Sequence, residues 1–268
     1  MTDPQPVKIR IRDLRKSFGS KVVLDGVNAD IAPAESLVII GGSGTGKSVL
    51  LKHIIGLLKP DSGTVEVDGT AVEKLGNREI TEFRRKFGMS FQEGALFDSM
   101  TVWQNVAFPL QRLTKMSRGE IGDRVEECLT MVRLEGVGEK LPSQLSGGMR
   151  RRVGFARSVA HQPEILLFDE PTTGLDPVTT ALIDEVILDL SDRLKTTTVT
   201  ITHDMESAFR IGDRIAMLHQ GKIIAEAPPE EFRRLDDPRV QQFIHGQADG
   251  PLSEDVPAPK SRGELESS

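Results

Sequence analysis

Apolar and polar residues alternate over VKIRIRDL, Val7 to Leu14, with the period of a half-buried strand. VVLDGV, Val22 to Val27, follows, and SLVII, Ser36 to Ile40, is an unbroken apolar run that ends at glycines. Residues 7–40 therefore read as short strands, the last of them buried. SVLLKHIIGLL, Ser48 to Leu58, has a helical pattern, closed by Lys59, Pro60 and the DSG turn. TVEVDGTAV reads as a hairpin turning at Asp68 and Gly69, and FGMSFQ, Phe87 to Gln92, as another strand. From about residue 93 to residue 160 the character becomes helical. Ser117 with Glu120 forms a capping box for a helix running to about Arg133, and Ser146 is the N-cap of a helix through MRRRVGFARSVA. Strand and helix then alternate: EILLF, PVTTALIDEVILDLSDRL, TTVTIT and DMESAFRI, before a closing hairpin in RIAMLHQGKIIAEA. From Gly246 the chain is polar and rich in Pro and Ser, a composition that predicts little regular structure. It carries no internal repeat.

The 268 residues, 38% of them hydrophobic, suffice for one large or two small domains with a sizeable core. A net charge of -6 argues against a dedicated nucleic-acid binder, and no nucleic-acid partner is expected. Two basic clusters, Arg150 to Arg152 and Arg84 to Lys86, read as solvated faces. The single cysteine, Cys128, excludes an internal disulfide and favours a reducing compartment; its helix-like surroundings make it a core or helix-face residue. The amino terminus has no apolar signal-peptide core, and no apolar run reaches about 18 residues.

The chemistry begins at GGSGTGKS. Gly41, Gly42, Ser43, Gly44, Thr45, Gly46, Lys47 and Ser48 match the phosphate-loop pattern, with Val49 next in the helix. Glycines let backbone N–H groups turn toward phosphate oxygens. Lys47 adds charge at the β and γ phosphates, Ser48 supplies a magnesium ligand, and the helix points its positive end at the anion. A buried strand feeding a Gly-rich turn and then a helix is the order this mechanism needs. ILLFDE, Ile165 to Glu170, is a buried strand that places Asp169 at its carboxyl end, where it can hold magnesium through water. Glu170 beside it can accept a proton from an attacking water. Taken alone, such an acidic pair reads as solvated. His203 at the end of VTITH and Gln92 at the end of FGMSFQ would each read as surface residues. Beside phosphates, His203 gains a functional reading, and Gln92 can orient a water or reach magnesium. His53, His161, His219 and His245 lack metal-like spacing and read as structural.

With those residues in place, residues 7–235 resemble the ATPase subunit of ABC transporters. The elements stand in that family's order: GGSGTGKS, Gln92, the signature LSGGM at Leu145 to Met149, ILLFDEP, GLDP at Gly174 to Pro177, and His203. The resemblance implies an α/β fold: a P-loop NTPase with a RecA-like core, an antiparallel β subdomain and an inserted helical subdomain. It implies an ABC ATPase domain over residues 7–245, with the helical subdomain at about 93–160, and a polar, irregular tail over 246–268. ATP and Mg2+ are the implied cofactors, and Phe18 matches the aromatic that stacks on adenine. On local pattern alone Ser146 is an ordinary N-cap. In the family, Ser146, Gly147 and Gly148 contact the γ-phosphate of ATP held by a second copy of the chain, packed head to tail. Met149 stands where the family more often has glutamine.

A narrower stretch, QEGALFDSMTVWQNVAFPL, Gln92 to Leu110, is similar to MlaF-type ATPases of bacterial phospholipid transport, as is DDPRVQQFIHGQADGP, Asp236 to Pro251. That resemblance implies an integral-membrane permease (MlaE-type), an MCE lipid-binding protein (MlaD-type) and a small STAS-domain protein (MlaB-type) as partners. It places the chain on the cytoplasmic face of the inner membrane, peripheral through the permease. Leu96, Phe97 and Met100 are read either as core or as part of a groove for the permease. An importer ATPase for a polar solute such as an amino acid is the alternative, since the ATPase chemistry is the same.

Overall fold

The computed structural model describes residues 6–92 and 94–253. Two long strands open it, β1 (Ile9–Phe18) and β2 (Lys21–Ile31), followed by the short buried β3 (Ser36–Ile40). Helix α1 (Lys47–Ile54) leaves the glycine loop and the hairpin β4 (Ser62–Val67) and β5 (Thr70–Ala71) follows. Helix α2 (Asn77–Arg84) and strand β6 (Phe87–Ser90) lead into α3 (Val102–Leu113), α4 (Arg118–Met131) and α5 (Gly147–Val159). Strands and helices then alternate through β7 (Ile165–Asp169), α6 (Pro177–Leu194), β8 (Thr197–Thr202) and α7 (Met205–Ile211). The hairpin β9 (Arg214–His219) and β10 (Lys222–Ala227) and the helices α8 (Pro229–Phe232) and α9 (Pro238–His245) complete it.

The strands form two sheets. One is antiparallel in the order β2-β1-β4-β5; the other runs β10-β9-β3-β8-β7-β6. In the second, β6 to β9 and β3 are parallel and β10 is an antiparallel edge. Its central strands are buried on both faces, so their side chains divide between two cores. Leu37 and Ile39 of β3 and Ile165 and Leu167 of β7 join Ile9, Leu14 and Leu50 between the sheets. Val38, Ile40, Leu166 and Phe168 join Val106, Leu129 and Phe155 on the helical side. Phe155 of α5 meets Phe168 of β7 edge-on, ring centroids 5.0 Å apart, which seats the helical layer against the strand that ends in Asp169.

The expected elements are present, with corrections at their ends. Helix α1 stops at Ile54 rather than Leu58, because Gly56 turns left-handed (φ +70°) and the Leu57 amide bonds back to the Lys52 carbonyl at 2.7 Å. Strand β6 stops at Ser90 rather than Gln92; its one neighbour, β7, pairs no further than Ser90, and the Gly94 amide closes a turn on the Phe91 carbonyl. Helix α4 ends at Met131, two residues before Arg133, which is left-handed at φ +58°. Helices α2, α8 and α9 were not foreseen. Asp237 accepts from the Arg239 amide at 2.8 Å with Pro238 in the first turn, a standard helix start.

Cys128 is fully buried on α4, and that burial pushes its thiol up to about 11. The cluster Arg150 to Arg152 does not form a solvated face, whereas in Arg84 to Lys86 only Arg85 is exposed, pairing with Glu82 at 3.0 Å. Arg151 is 7% exposed, Arg150 donates to the Leu145 carbonyl, and Arg152 donates to the carbonyls of Val132 and Arg133. Arg84 donates to the Gly56 carbonyl and Lys86 pairs with Asp68. The backbone of 246–253 forms turns, with the Leu252 amide donating to Gln242 at 2.7 Å; the rest of the expected irregular tail, 254–268, lies outside the described residues. Among the described residues no helix is long and apolar enough to cross a membrane.

Candidate functional site

Four parallel strands deliver the candidate residues to one edge of the larger sheet. Strand β3 ends at Ile40 and feeds Gly41; β7 ends at Asp169 with Glu170 next; β8 ends at Thr202 with His203 next; β6 leads to Gln92. The register pairs Ile40 with Thr202 and Asp169 with Ile201, so these ends lie side by side. Carboxyl ends of strands, where the order of connection reverses around β3, are where such sheets open a crevice.

The phosphate loop is shaped by close approach. A Cβ on Gly41 would lie 2.3 Å from the Leu218 carbonyl oxygen of β9, and one on Gly46, at φ +104°, 2.8 Å from the Val23 carbonyl oxygen of β2. Thr45 donates to the Gly42 carbonyl at 2.9 Å, while Gly42, Ser43 and Gly44 are exposed. Lys47 is buried, and its Nζ donates to the carbonyls of Gly41 (2.7 Å) and Gly42 (2.9 Å) with Glu170 Oε1 at 3.7 Å. Burial pulls the Lys47 ammonium below its ordinary value, against the attraction of Glu170. Val49 packs partly against the inter-sheet core.

Ser48 Oγ donates to Asp169 Oδ1 at 3.0 Å. Burial raises the Asp169 carboxyl; the Ser48 hydrogen bond opposes this and the neighbouring Glu170 charge adds to it. Glu170 has a left-handed backbone (φ +53°), a rare state for a side chain of its size, fixed by its amide donating to the Ile201 carbonyl at 2.9 Å. Its Oε2 accepts from Thr173 Oγ1 at 2.9 Å and lies 2.8 Å from His203 Nδ1. A carboxylate held on one oxygen by a hydroxyl and an imidazole, with an ammonium near the other, can take a proton from a water placed against it. The Ser48 hydroxyl and Asp169 carboxylate form a hard oxygen pair suited to Mg2+, which keeps water and phosphate ligands as well. Among the described residues no cluster of three or more His, Cys, Asp or Glu forms a closed protein cage.

Lys47, Ser48, Asp169, Glu170 and His203 therefore come together. Other candidates stand apart. Gln92 is exposed, and its backbone carbonyl accepts from Arg151 Nε at 2.6 Å. Phe18 is half exposed at the β1–β2 turn, with Lys16 Nζ 5.6 Å from its ring centre. Ser146 is exposed and caps α5 by accepting from the Met149 amide at 3.2 Å. A Cβ on Gly148 would lie 2.5 Å from Thr179 of α6. Among the described residues no hydrogen bond joins Ser146, Gly147 or Gly148 to this chain's own phosphate loop. The sequence reading missed Thr173 and Arg151, both bonded within this site.

Residues 24–173 match the family model described as ABC transporter. The chain is 42% identical to a protein of Mycobacterium leprae (strain TN) named "Probable ribonucleotide transport ATP-binding protein mkl", over 93% of this chain and 72% of that protein. It is 38% identical to the intermembrane phospholipid transport system ATP-binding protein MlaF of Haemophilus influenzae, over 93% of this chain and 95% of MlaF. Among solved structures it is similar to the ATP-binding cassette MJ0796, captured as a dimer in a post-hydrolysis state with ADP and Pi. There the TM-score is 0.76 and the identity 35%, over 82% of this chain and 98% of that one.

Proposed function

Since the chain belongs to the ABC transporter family and is an ATPase of that family, we propose that it drives phospholipid transport through a membrane permease. The observation that carries the catalytic part is the Glu170 carboxylate, fixed by Thr173 and His203 and facing Lys47. In this reading Glu170 takes the proton of the attacking water, and His203 and Gln92 help orient water and γ-phosphate. Lys47 and the amides of Gly41 to Val49 hold the phosphates, and Phe18 stacks on adenine. Mg2+ held by Ser48, by Asp169 through water and by Gln92 would offset charge on the β and γ phosphates.

Two copies assemble head to tail. The exposed Ser146 hydroxyl and the amides opening α5, through Gly147 and Gly148, face ATP on the other copy's loop. This explains a second glycine pair that makes no hydrogen bond to its own phosphate loop, and the dimeric MJ0796 cassette supports it. The domain covers residues 7–245, with the helical subdomain at about 93–160 and the tail from 246.

The permease docks on the helical side, and the chain is peripheral to the membrane through it, at the cytoplasmic face of a bacterial inner membrane. A groove of about 340 Å³ lined by Phe91, Phe97, Phe108, Pro109 and Arg157 fits an amphipathic segment. Phe97 is exposed and packs on Phe108 with ring centres 4.9 Å apart, whereas Leu96 packs against the helical-side core. An MCE protein of MlaD type and a STAS-domain protein of MlaB type complete the complex. The name of the MlaF relative supports the lipid reading, and the name of the mkl relative favours a second one, a polar phosphorylated solute. Pull-down of the tagged chain from native membranes in mild detergent, with mass spectrometry of proteins and lipids, separates them. A permease with an MCE protein and bound phospholipid supports lipid transport; a permease with a soluble solute-binding protein and no MCE partner overturns it.

A further inference from the structure

Ser146 is the exposed cap of α5, yet the helix that follows reaches into the chain's own site. One turn on, Arg151 is almost wholly buried. Its Nε donates to the Gln92 carbonyl at 2.6 Å, and its Nη2 donates to the Thr173 carbonyl. Arg157, farther along α5, donates to the carbonyls of Gly94 (2.7 Å) and Ala95 (2.8 Å). A Cβ on Gly154 would lie 2.9 Å from Gly94 Cα, so helix and loop are in close contact. The loop after β6 is therefore fastened to α5. The Thr173 hydroxyl, in turn, donates to Glu170 Oε2. One guanidinium thus spans the loop beside the Phe97–Phe108 groove and the loop that holds the candidate base.

We propose that Arg151 and Thr173 are positioning residues for hydrolysis: Thr173 orients the Glu170 carboxylate, and Arg151 fixes Thr173 relative to the Gln92 loop. The proposal rests on the reading of Glu170 as the base. The fork geometry explains the residue type. A guanidinium has donors directed at two carbonyls at once, whereas an ammonium is a single point of charge. A buried cation here also needs these acceptors, which ties both loops to α5. A displacement of the groove-side loop is passed to Glu170 through three hydrogen bonds, Gln92 to Arg151, Arg151 to Thr173 and Thr173 to Glu170, with no contact between Gln92 and Glu170 required.

The test uses the full chain with Thr173→Val, Thr173→Ser, Arg151→Lys and Arg151→Gln, each alone and in a Glu170→Gln background. Single-turnover ATP hydrolysis, affinity for an ATP analogue and thermal midpoint are measured. Thr173→Val and Arg151→Lys should each slow hydrolysis about tenfold with analogue affinity within about twofold of wild type. Thr173→Ser, which keeps the hydroxyl, should restore most of the rate. In the Glu170→Gln background the losses should vanish, because no carboxylate remains to be placed. Hydrolysis by Thr173→Val and Arg151→Lys within about twofold of wild type overturns the proposal, as does a loss kept in full beside Glu170→Gln. Should the Arg151 variants fail to fold, the Val and Ser pair at Thr173 decides it. Wild-type hydrolysis by Glu170→Gln alone would instead remove the base assignment, a separate failure.

Discussion

Asp184 on α6 is wholly buried, and it holds α7 directly behind His203. It accepts from Ser207 Oγ at 3.0 Å and from Arg210 Nη1 at 2.7 Å, while Asp204 caps the same helix by accepting from the Ser207 amide. Burial pushes its carboxyl up to about 6; Ser207 and Arg210 oppose this, and the nearby Asp204 charge adds to it. The folded chain therefore keeps this proton to a higher pH than the unfolded chain, whose carboxyl titrates near 3.8. Between about pH 4 and 6 the folded state binds more protons, so stability falls as pH rises through that window and levels off above it. At about 1.4 kcal/mol per pH unit, the ionised side chain costs about 3 kcal/mol at neutral pH. Asp184→Asn has the same shape and no proton to lose. Urea unfolding of both proteins from pH 4 to 7.5 should show the variant gaining about 2.5 kcal/mol on the wild type across the window. Other titrating groups cancel in the difference. A difference that stays flat with pH, or that moves against the variant as pH rises, would show that the buried Asp184 does not hold its proton in the folded chain.

Gly41→Ala should weaken binding of an ATP analogue and cost about 3 kcal/mol of stability, since its Cβ meets the Leu218 backbone oxygen at 2.3 Å; wild-type affinity would contradict the loop geometry. Phe155→Ala should lower unfolding free energy by about 3–5 kcal/mol in urea, because it empties the contact with Phe168 beneath Asp169. Glu170→Gln should bind ATP, accumulate as a dimer in size-exclusion chromatography with ATP, and nearly cease turnover; hydrolysis at the wild-type rate would exclude it as the base.

The larger sheet was legible because β3 and β7 carry apolar runs and the glycine loop directly follows β3. The phosphate loop, Asp169 and Glu170 follow from that order, since each stands where a buried strand ends. Strand and helix ends were less legible. Gly56 ends α1 through a backbone conformation that the apolar run LLKHIIGLL conceals. Arg151 looked solvated because three arginines in a row look polar. Yet three successive helix positions sweep roughly 200°, so one of them had to face the protein. Thr173 had no signal: its bond to Glu170 depends on the left-handed turn at Glu170, which brings the carboxylate back over the following loop. The start of α9 was readable, since Asp237 followed by Pro238 is a cap and first-turn pair.

In the proposed dimer Ser146 to Gly148 complete the site of another copy. Differently tagged chains, one Lys47→Ala and one Ser146→Arg, can be co-expressed and the mixed dimer purified through both tags. In a split arrangement both substitutions fall in one site and the other stays whole. One ATP analogue should therefore bind tightly per mixed dimer, where wild type binds two and each variant alone assembles no complete site. If each chain instead built its site from its own Ser146, both sites would be damaged. The mixed dimer would then hold no ATP analogue beyond the level of the single variants, and that result would exclude a site shared between copies.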